Sequence, residues 1–221
     1  MGHSGAGKTS LAEAMLFATK AINRAGRVED GNTVSDFEPE EHRRQTSLQL
    51  SIVPCIWKGT KINVIDTPGY ADFVGETTSA LRVADAAILV VSAPSGVEAG
   101  TEMAWRRLRE LGLPTLVFVS KMDREHADYD AAMSQIRSHL GNRCAAINIP
   151  IGAEASFAGV ASLIGSSGPP ESGAAAAKDQ LAESVAETDD ELTLKFLEDG
   201  ELTNEEIATG LHAGVRSGQV V

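Results

Sequence analysis

One stretch near the start constrains this chain more than any other. Gly2-His3-Ser4-Gly5-Ala6-Gly7-Lys8-Thr9 matches the spacing GxxxxGK[ST] in full. Directly after it, Ser10 to Arg24 carries apolar residues at Leu11, Met15, Leu16, Ala18 and Ile22, a spacing that predicts an amphipathic helix leaving the glycine run. Glycines let successive backbone N–H groups turn inward around phosphate oxygens, and the helix N-terminus adds partial positive charge. In such a loop Lys8 reaches the β and γ phosphates and Thr9 offers its hydroxyl to Mg²⁺. We read His3 through Ser10 as nucleotide-contacting; the bland alternative is a glycine-rich turn.

The remaining pattern alternates strands and helices. Ala25 to Thr46 loses periodicity among Gly, Asn, Asp and Glu and reads as a long mobile loop. Strand-like runs at Leu48–Trp57 and Lys61–Asp66 flank Lys58-Gly59-Thr60, which suits an antiparallel hairpin. Thr77–Ala84, Glu98–Leu111 and Asp128–Leu140 read as helices, with strands at Ala86–Ser92 and Thr115–Ser120 between them. This order predicts an α/β fold of the P-loop NTPase type, with a doubly wound, mostly parallel sheet and helices on both faces. Past Pro150 the composition changes. Gly165–Ala177 reads as a flexible excursion, and Lys178–Leu197 and Thr203–Val215 read as two helices of a small α-rich C-terminal unit. The expected division is residues 1–152 as the core and residues 153–221 as part of an insertion subdomain.

Two further motifs fall at strand ends, where ligands bind in open α/β sheets. Asp66-Thr67-Pro68-Gly69 places a carboxylate where it can hold Mg²⁺ through water, and Gly69 can bring its N–H to a γ-phosphate because no side chain obstructs it. Alone, this tetrapeptide is a turn; its place after a phosphate loop and a long loop makes it a candidate site. Ser120-Lys121-Met122-Asp123 closes another strand. An Asp at position 123 can accept the paired N1–H and N2 amino hydrogens of guanine, which adenine lacks, and the Lys121 stem can cover the base plane.

Composition removes several function classes. The formal charge of −12 over 221 residues argues against direct DNA binding by the chain alone. No run approaches a membrane span or a signal peptide, so a cytoplasmic protein is expected. Cys55 and Cys144 lie far apart with no metal spacing and read as buried thiols. Arg43 and Arg44 read as a solvated loop, Trp57 and Trp105 as sheet and helix packing, and His3 as a neighbour of the phosphate loop without a catalytic role.

Phosphate loop, long loop, Asp-Thr-Pro-Gly and Lys-Met-Asp, in this order and spacing, resemble the GTPase domain of elongation factor G over residues 2–152. The stretches Gly26–Phe37, Asp66–Phe73 and Lys121–Glu125 resemble that branch most, with the ribosomal-protection proteins as near relatives. From Ala153 onward the chain looks like the insertion carried inside that domain, through Asp189–Leu192 and Phe196–Thr203. The resemblance implies GTP and GDP as substrate and product, Mg²⁺ held by Thr9, Ser47 and Asp66, and the ribosome as partner through domains expected to be missing here; the oligomeric state is open, with a monomer expected. Four departures stand out. Tyr70 takes the place of the histidine that positions the attacking water; with Lys8 and Gly69 it forms the expected catalytic set. Ser120 replaces the Asn that ties the base loop to the phosphate loop, and its shorter reach predicts weaker affinity. Ser47, with Thr46 beside it, stands for the switch threonine. The strand before the phosphate loop and the last strand with its base-contacting loop are expected to be missing. A truncated, non-enzymatic remnant and an ATP-using P-loop protein are the alternatives.

Overall fold

The computed structural model describes residues 1–142, 144–165 and 174–221. Helix α1, Lys8–Ala18, leaves the glycine loop and stops at Thr19, earlier than the apolar spacing predicts. The Thr19 hydroxyl donates to the carbonyls of Met15 and Leu16, capping the last turn. The following segment is more ordered than its composition suggests. It contains a 3-10 turn, Val28–Asp30, and helix α2, Pro39–Arg44, whose proline is well placed at a first-turn position because its missing N–H would have no helical partner there. Strands β1, Ser51–Trp57, and β2, Thr60–Asp66, form the antiparallel hairpin in the register Ser51 opposite Asp66.

Beyond the Asp66 end come a 3-10 turn, Ala71–Phe73, and helix α3, Val74–Leu81. Strand β3, Ala87–Ser92, pairs in parallel with β4, Thr115–Ser120, across the crossover helix α4, Ala99–Leu111. Helix α5, Tyr129–Leu140, follows, capped by the Asp128 carboxylate accepting from the Ala131 N–H. One face of the β3–β4 pair is the main core: Leu89, Val91, Leu108 and Ile136 are buried there, with Leu140 and Cys144 closing it. Each fully buried aliphatic side chain of this kind contributes about 1.5–3 kcal/mol relative to exposure.

The C-terminal residues form a second apolar cluster. Strands β5, Asn148–Ile151, and β6, Gly159–Ser162, pair antiparallel, a hairpin that the residue pattern does not predict. Helices α6, Ala174–Ala186, α7, Asp190–Asp199, and α8, Asn204–Ser217, pack with them around Leu181, Val185 and Ile207. The single helix expected over 178–197 is two, because the Asp189 carboxylate accepts from the N–H groups of Glu191 and Leu192 and starts a new helix. Thr203 and Glu206 do the same for α8 with a reciprocal capping box. Most of the predicted excursion at 165–177 lies outside the described residues; positions 174–177 belong to α6. Among the described residues no helix is long and apolar enough to cross a membrane.

The α/β class expected from the motif order holds, but the ladders form three separate pairs among the described residues. No ladder joins β2 to β3. Between them lies a cavity of about 1020 Å³ lined by Lys61 through Asp66 on one side and Ala86, Ala87, Ile88 and Val90 on the other. Consecutive residues of one strand line it, so it meets strand edges, where backbone groups are exposed, and not a side-chain face. At its end the Met1 ammonium donates to the Ile88 carbonyl, the Val90 N–H donates to the Met1 carbonyl, and Gly2 bridges Val90 in parallel. Burial, reinforced by Lys8, lowers the pKa of that ammonium to about 5. An apolar, strand-forming extension of about six residues placed ahead of Met1 should therefore fill the cavity and raise Tm by about 5–10 °C in thermal unfolding. An equal gain from a Gly/Ser extension of the same length would mean the cavity is not strand-shaped.

Candidate functional site

The site is built where the phosphate loop, the end of β2 and the end of β4 converge. Gly5 and Gly7 adopt φ of 73° and 95°, left-handed values that side chains resist, and these turns carry the loop into α1. Gly7 is the N-cap and offers no side chain, so the first-turn N–H groups of Lys8, Thr9 and Ser10 are free of side-chain caps. The Lys8 ammonium folds back to donate to the His3 carbonyl at 2.8 Å. Burial lowers its pKa, while Asp66 and Asp36 pull it up and Lys121 adds a further lowering. His3 lies beside Glu98 at 3.4 Å, its Nδ1 buried without a hydrogen-bond partner among the described residues. Ser4 is half-buried, Ala6 buried, and Ser10 exposed on α1.

Five oxygen-bearing side chains meet near Lys8. The Thr9 hydroxyl donates to Asp66 Oδ2 at 2.7 Å and lies 3.1 Å from the Ser47 hydroxyl. Ser47 donates to Asp36 Oδ1 at 2.6 Å, and Thr33 donates to Asp36 Oδ2. Of the adjacent hydroxyls at 46 and 47, Ser47 is the one in this cluster. Thr9, Asp36 and Asp66 are each buried. Burial raises the Asp36 pKa, with the nearby Asp66 and Glu41 adding to it and the hydroxyl donors opposing. The Thr9 and Ser47 hydroxyls, 3.1 Å apart, form a further hydrogen bond in which either oxygen can donate, so the two carboxylates are joined through a chain of hydroxyls. An all-oxygen set of two carboxylates and two such hydroxyls suits a hard divalent cation such as Mg²⁺.

Gly69 packs directly on the phosphate loop. A Cβ there would collide with Lys8 Nζ and fall 2.7 Å from the Ser4 backbone, so the absence of a side chain is required for the approach. Tyr70 is half-exposed and lines a 430 Å³ cavity with Pro68, Val74, Met103 and Arg107, between α3 and α4. On the third side, Ser120 donates to the Ala6 carbonyl at 2.6 Å and approaches the Val91 carbonyl at 3.2 Å. The shorter reach expected of a serine is thus no obstacle to tying β4 to the phosphate loop. Lys121 takes φ of 60° and, like Asp123, is exposed, while Met122 between them is buried. Asp123 has Arg124 beside it at 3.9 Å.

Three residues of this region do not stand out in the sequence. Asp36 sits in a segment whose composition reads as solvated. Glu41 belongs to a charge run yet is buried on the inner side of α2. Glu13 carries a usable signal, since it follows Thr9 by four positions and so shares its helix face. Arg43 and Arg44, in contrast, pair with Glu40 in solvent as their composition implies. Trp57 is half-exposed under Lys58, while Trp105 packs on the core beside Arg109. Cys55 and Cys144 are both buried free thiols.

Ser120→Ala should cost about 1 kcal/mol in urea unfolding through loss of the Ala6 bond. Gly69→Ala should cost about 1–3 kcal/mol by overpacking against Ser4 and Lys8. Unchanged midpoints for both would place neither contact in the folded protein.

The chain matches the family model described as the elongation factor Tu GTP binding domain over residues 1–213. It also superimposes on a crystal structure of a Thermus thermophilus protein with a TM-score of 0.90 and 36% sequence identity, covering 100% of this chain and 35% of that one. The chain thus spans about a third of that relative's length. With the family match running over nearly all of its residues, and the phosphate loop, the carboxylate–hydroxyl cluster and the Ser120–Asp123 turn brought to one edge, this chain belongs to the elongation factor Tu GTP-binding domain family.

Proposed function

We propose that this chain binds GTP and GDP with Mg²⁺ and hydrolyses GTP as the nucleotide domain of a translational GTPase resembling elongation factor G. The observation that carries the reading is the convergence of Lys8, the Thr9–Asp66–Ser47 cluster and the Ser120 tie on one loop. In this reading the first-turn N–H groups and Lys8 take up phosphate charge, and Asp123 selects guanine by accepting its paired donors. Thr9, Ser47 and Asp66, with Asp36 behind Ser47, are the residues that would hold Mg²⁺. When bound there, Mg²⁺ would neutralise charge on the β and γ phosphates.

Hydrolysis adds water to the γ-phosphorus as its bond to the bridging β–γ oxygen breaks, giving GDP and phosphate. Positioning and charge stabilisation dominate such transfers. Lys8 and the Gly69 N–H stabilise charge on the γ-phosphoryl oxygens, and the Tyr70 phenol orients water by hydrogen bonding. A phenol supplies no cationic charge, so slow intrinsic turnover follows. The ribosome is the partner of this reading, engaged in the cytoplasm by a monomer through further domains of a longer protein. Residues 1–152 serve as the nucleotide core and residues 153–221 as an insertion. A second reading, a remnant with weak or no nucleotide binding, is favoured by the open cavity between β2 and β3.

Fluorescent GDP titrations with and without Mg²⁺, competed by GTP or ATP, separate the two. Binding that requires Mg²⁺ and yields to GTP but not ATP supports the first; no binding supports the remnant. Lys8→Ala should weaken both guanine nucleotides about a hundredfold, or about 2.7 kcal/mol. Asp123→Asn should weaken GTP and improve xanthine-nucleotide binding; an unaltered base preference would remove Asp123 from the base site.

A further inference from the structure

Two buried carboxylates outside the expected site grip the segment that carries Asp36 and Ser47. Glu13 and Glu41 are 2% and 1% exposed, and neither pairs with a cation among the described residues. Their side chains are held instead by backbone N–H groups. Glu13, on α1, accepts from Gly26 at 2.7 Å and from Val34 at 2.5 Å, one on each carboxylate oxygen. It thereby staples the segment to the helix that also carries Thr9.

Glu41 is more particular in what it joins. Its Oε2 accepts from Phe37 and Glu38, the two residues after Asp36, each at 3.1 Å. Its Oε1 accepts from Leu48 and Gln49, the two residues after Ser47, at 2.8 and 3.1 Å. One carboxylate therefore fixes the separation of the two backbone stretches whose side chains make the 2.6 Å Ser47–Asp36 bond. The next N–H along, that of Leu50, is taken by Glu76 of α3 at 3.0 Å. Desolvating a carboxylate is expensive, and two or more N–H donors per group offset it only while the segment keeps this shape.

We infer that Glu13 and Glu41 are positioning residues that hold the Ser47 hydroxyl against Thr9, and so set how strongly this site distinguishes GTP from GDP. The inference rests on the nucleotide site proposed above. In that reading neither residue is a ligand of nucleotide or metal; each acts through backbone of the segment that carries Asp36 and Ser47. Replacing either by Gln leaves one acceptor oxygen and turns an NH₂ group toward backbone donors, so the clamp opens while volume is kept.

The test uses the full 221-residue chain, Glu13→Gln and Glu41→Gln, with Glu40→Gln as a surface control. Amide hydrogen exchange at Gly26, Val34, Leu48 and Gln49 reads the clamps without nucleotide. Fluorescent GDP and a non-hydrolysable GTP analogue, titrated at several Mg²⁺ concentrations, read the consequence. Each clamp variant should lose protection at its own amides, keep GDP affinity within about twofold, and weaken the GTP analogue about tenfold with a higher Mg²⁺ requirement, while Glu40→Gln changes none of these. Equal weakening of both nucleotides, or lost protection with an unchanged GTP-to-GDP ratio, shows a purely structural role and overturns the inference. A parent chain that protects these amides but binds neither nucleotide removes the underlying functional reading, and the inference with it.

Discussion

The hydrogen bond from Thr9 to Asp66 lies where the phosphate loop joins the two halves of the fold. The β1–β2 hairpin and the β3–β4 pair share no ladder among the described residues; the two halves meet through the phosphate loop and through α3, whose Glu76 accepts from the Leu50 N–H and whose Leu81 lies in the core of the parallel pair. α1 packs on the hairpin through Ala12 and Leu16 against Val53 and Cys55, which assigns the helix to that half. Gly2 bridges Val90 and Ala6 accepts from Ser120, which binds the other end of the loop to the parallel pair. Thr9–Asp66 closes the circuit on the hairpin side. The loop that would meet phosphate is thus also a joint of the fold, and ligation there would stabilise the protein by mass action.

The phosphate loop, the hairpin, the parallel pair and both strand-end motifs are legible in the sequence because each rests on a local rule: glycine spacing, alternation, or a turn after an apolar run. Segment 25–46 reads as a long loop, yet it holds a 3-10 turn and helix α2 for a reason that composition cannot reveal. Its order comes from Glu13 and Glu41, acidic residues whose partners include backbone amides distant in sequence, and a buried Glu has the same letter as a solvated one. The break between α6 and α7 escapes the residue pattern for a different reason. Asp189 lies within a charge-rich stretch that suits a helix surface, and only its capping bonds mark it as a start. The β5–β6 hairpin has four-residue strands, too short for alternation to declare itself.

The two positions that depart from the elongation factor G pattern the chain resembles, Ser120 and Tyr70, stand in different surroundings. Ser120 has less reach than Asn, yet the close approach of Gly7, whose added Cβ would stand 3.6 Å from the Ser120 hydroxyl, brings the loop within range. A short side chain and a close backbone compensate each other. Tyr70 has no such compensation, since a phenol at a half-exposed position contributes hydrogen bonding without positive charge. In the proposed reading, nucleotide binding would therefore rest on buried contacts and turnover on a surface group.

The most direct test of the central claim is paramagnetic broadening by Mn²⁺ in place of Mg²⁺, read on backbone amide NMR signals in the presence of GDP. The cluster behind Lys8 predicts that signals of Thr9, Ser47 and Asp66 broaden first and that those of α7 and α8 remain sharp. Uniform broadening, or broadening centred on the acidic C-terminal helices, would contradict a metal and nucleotide site at the phosphate loop.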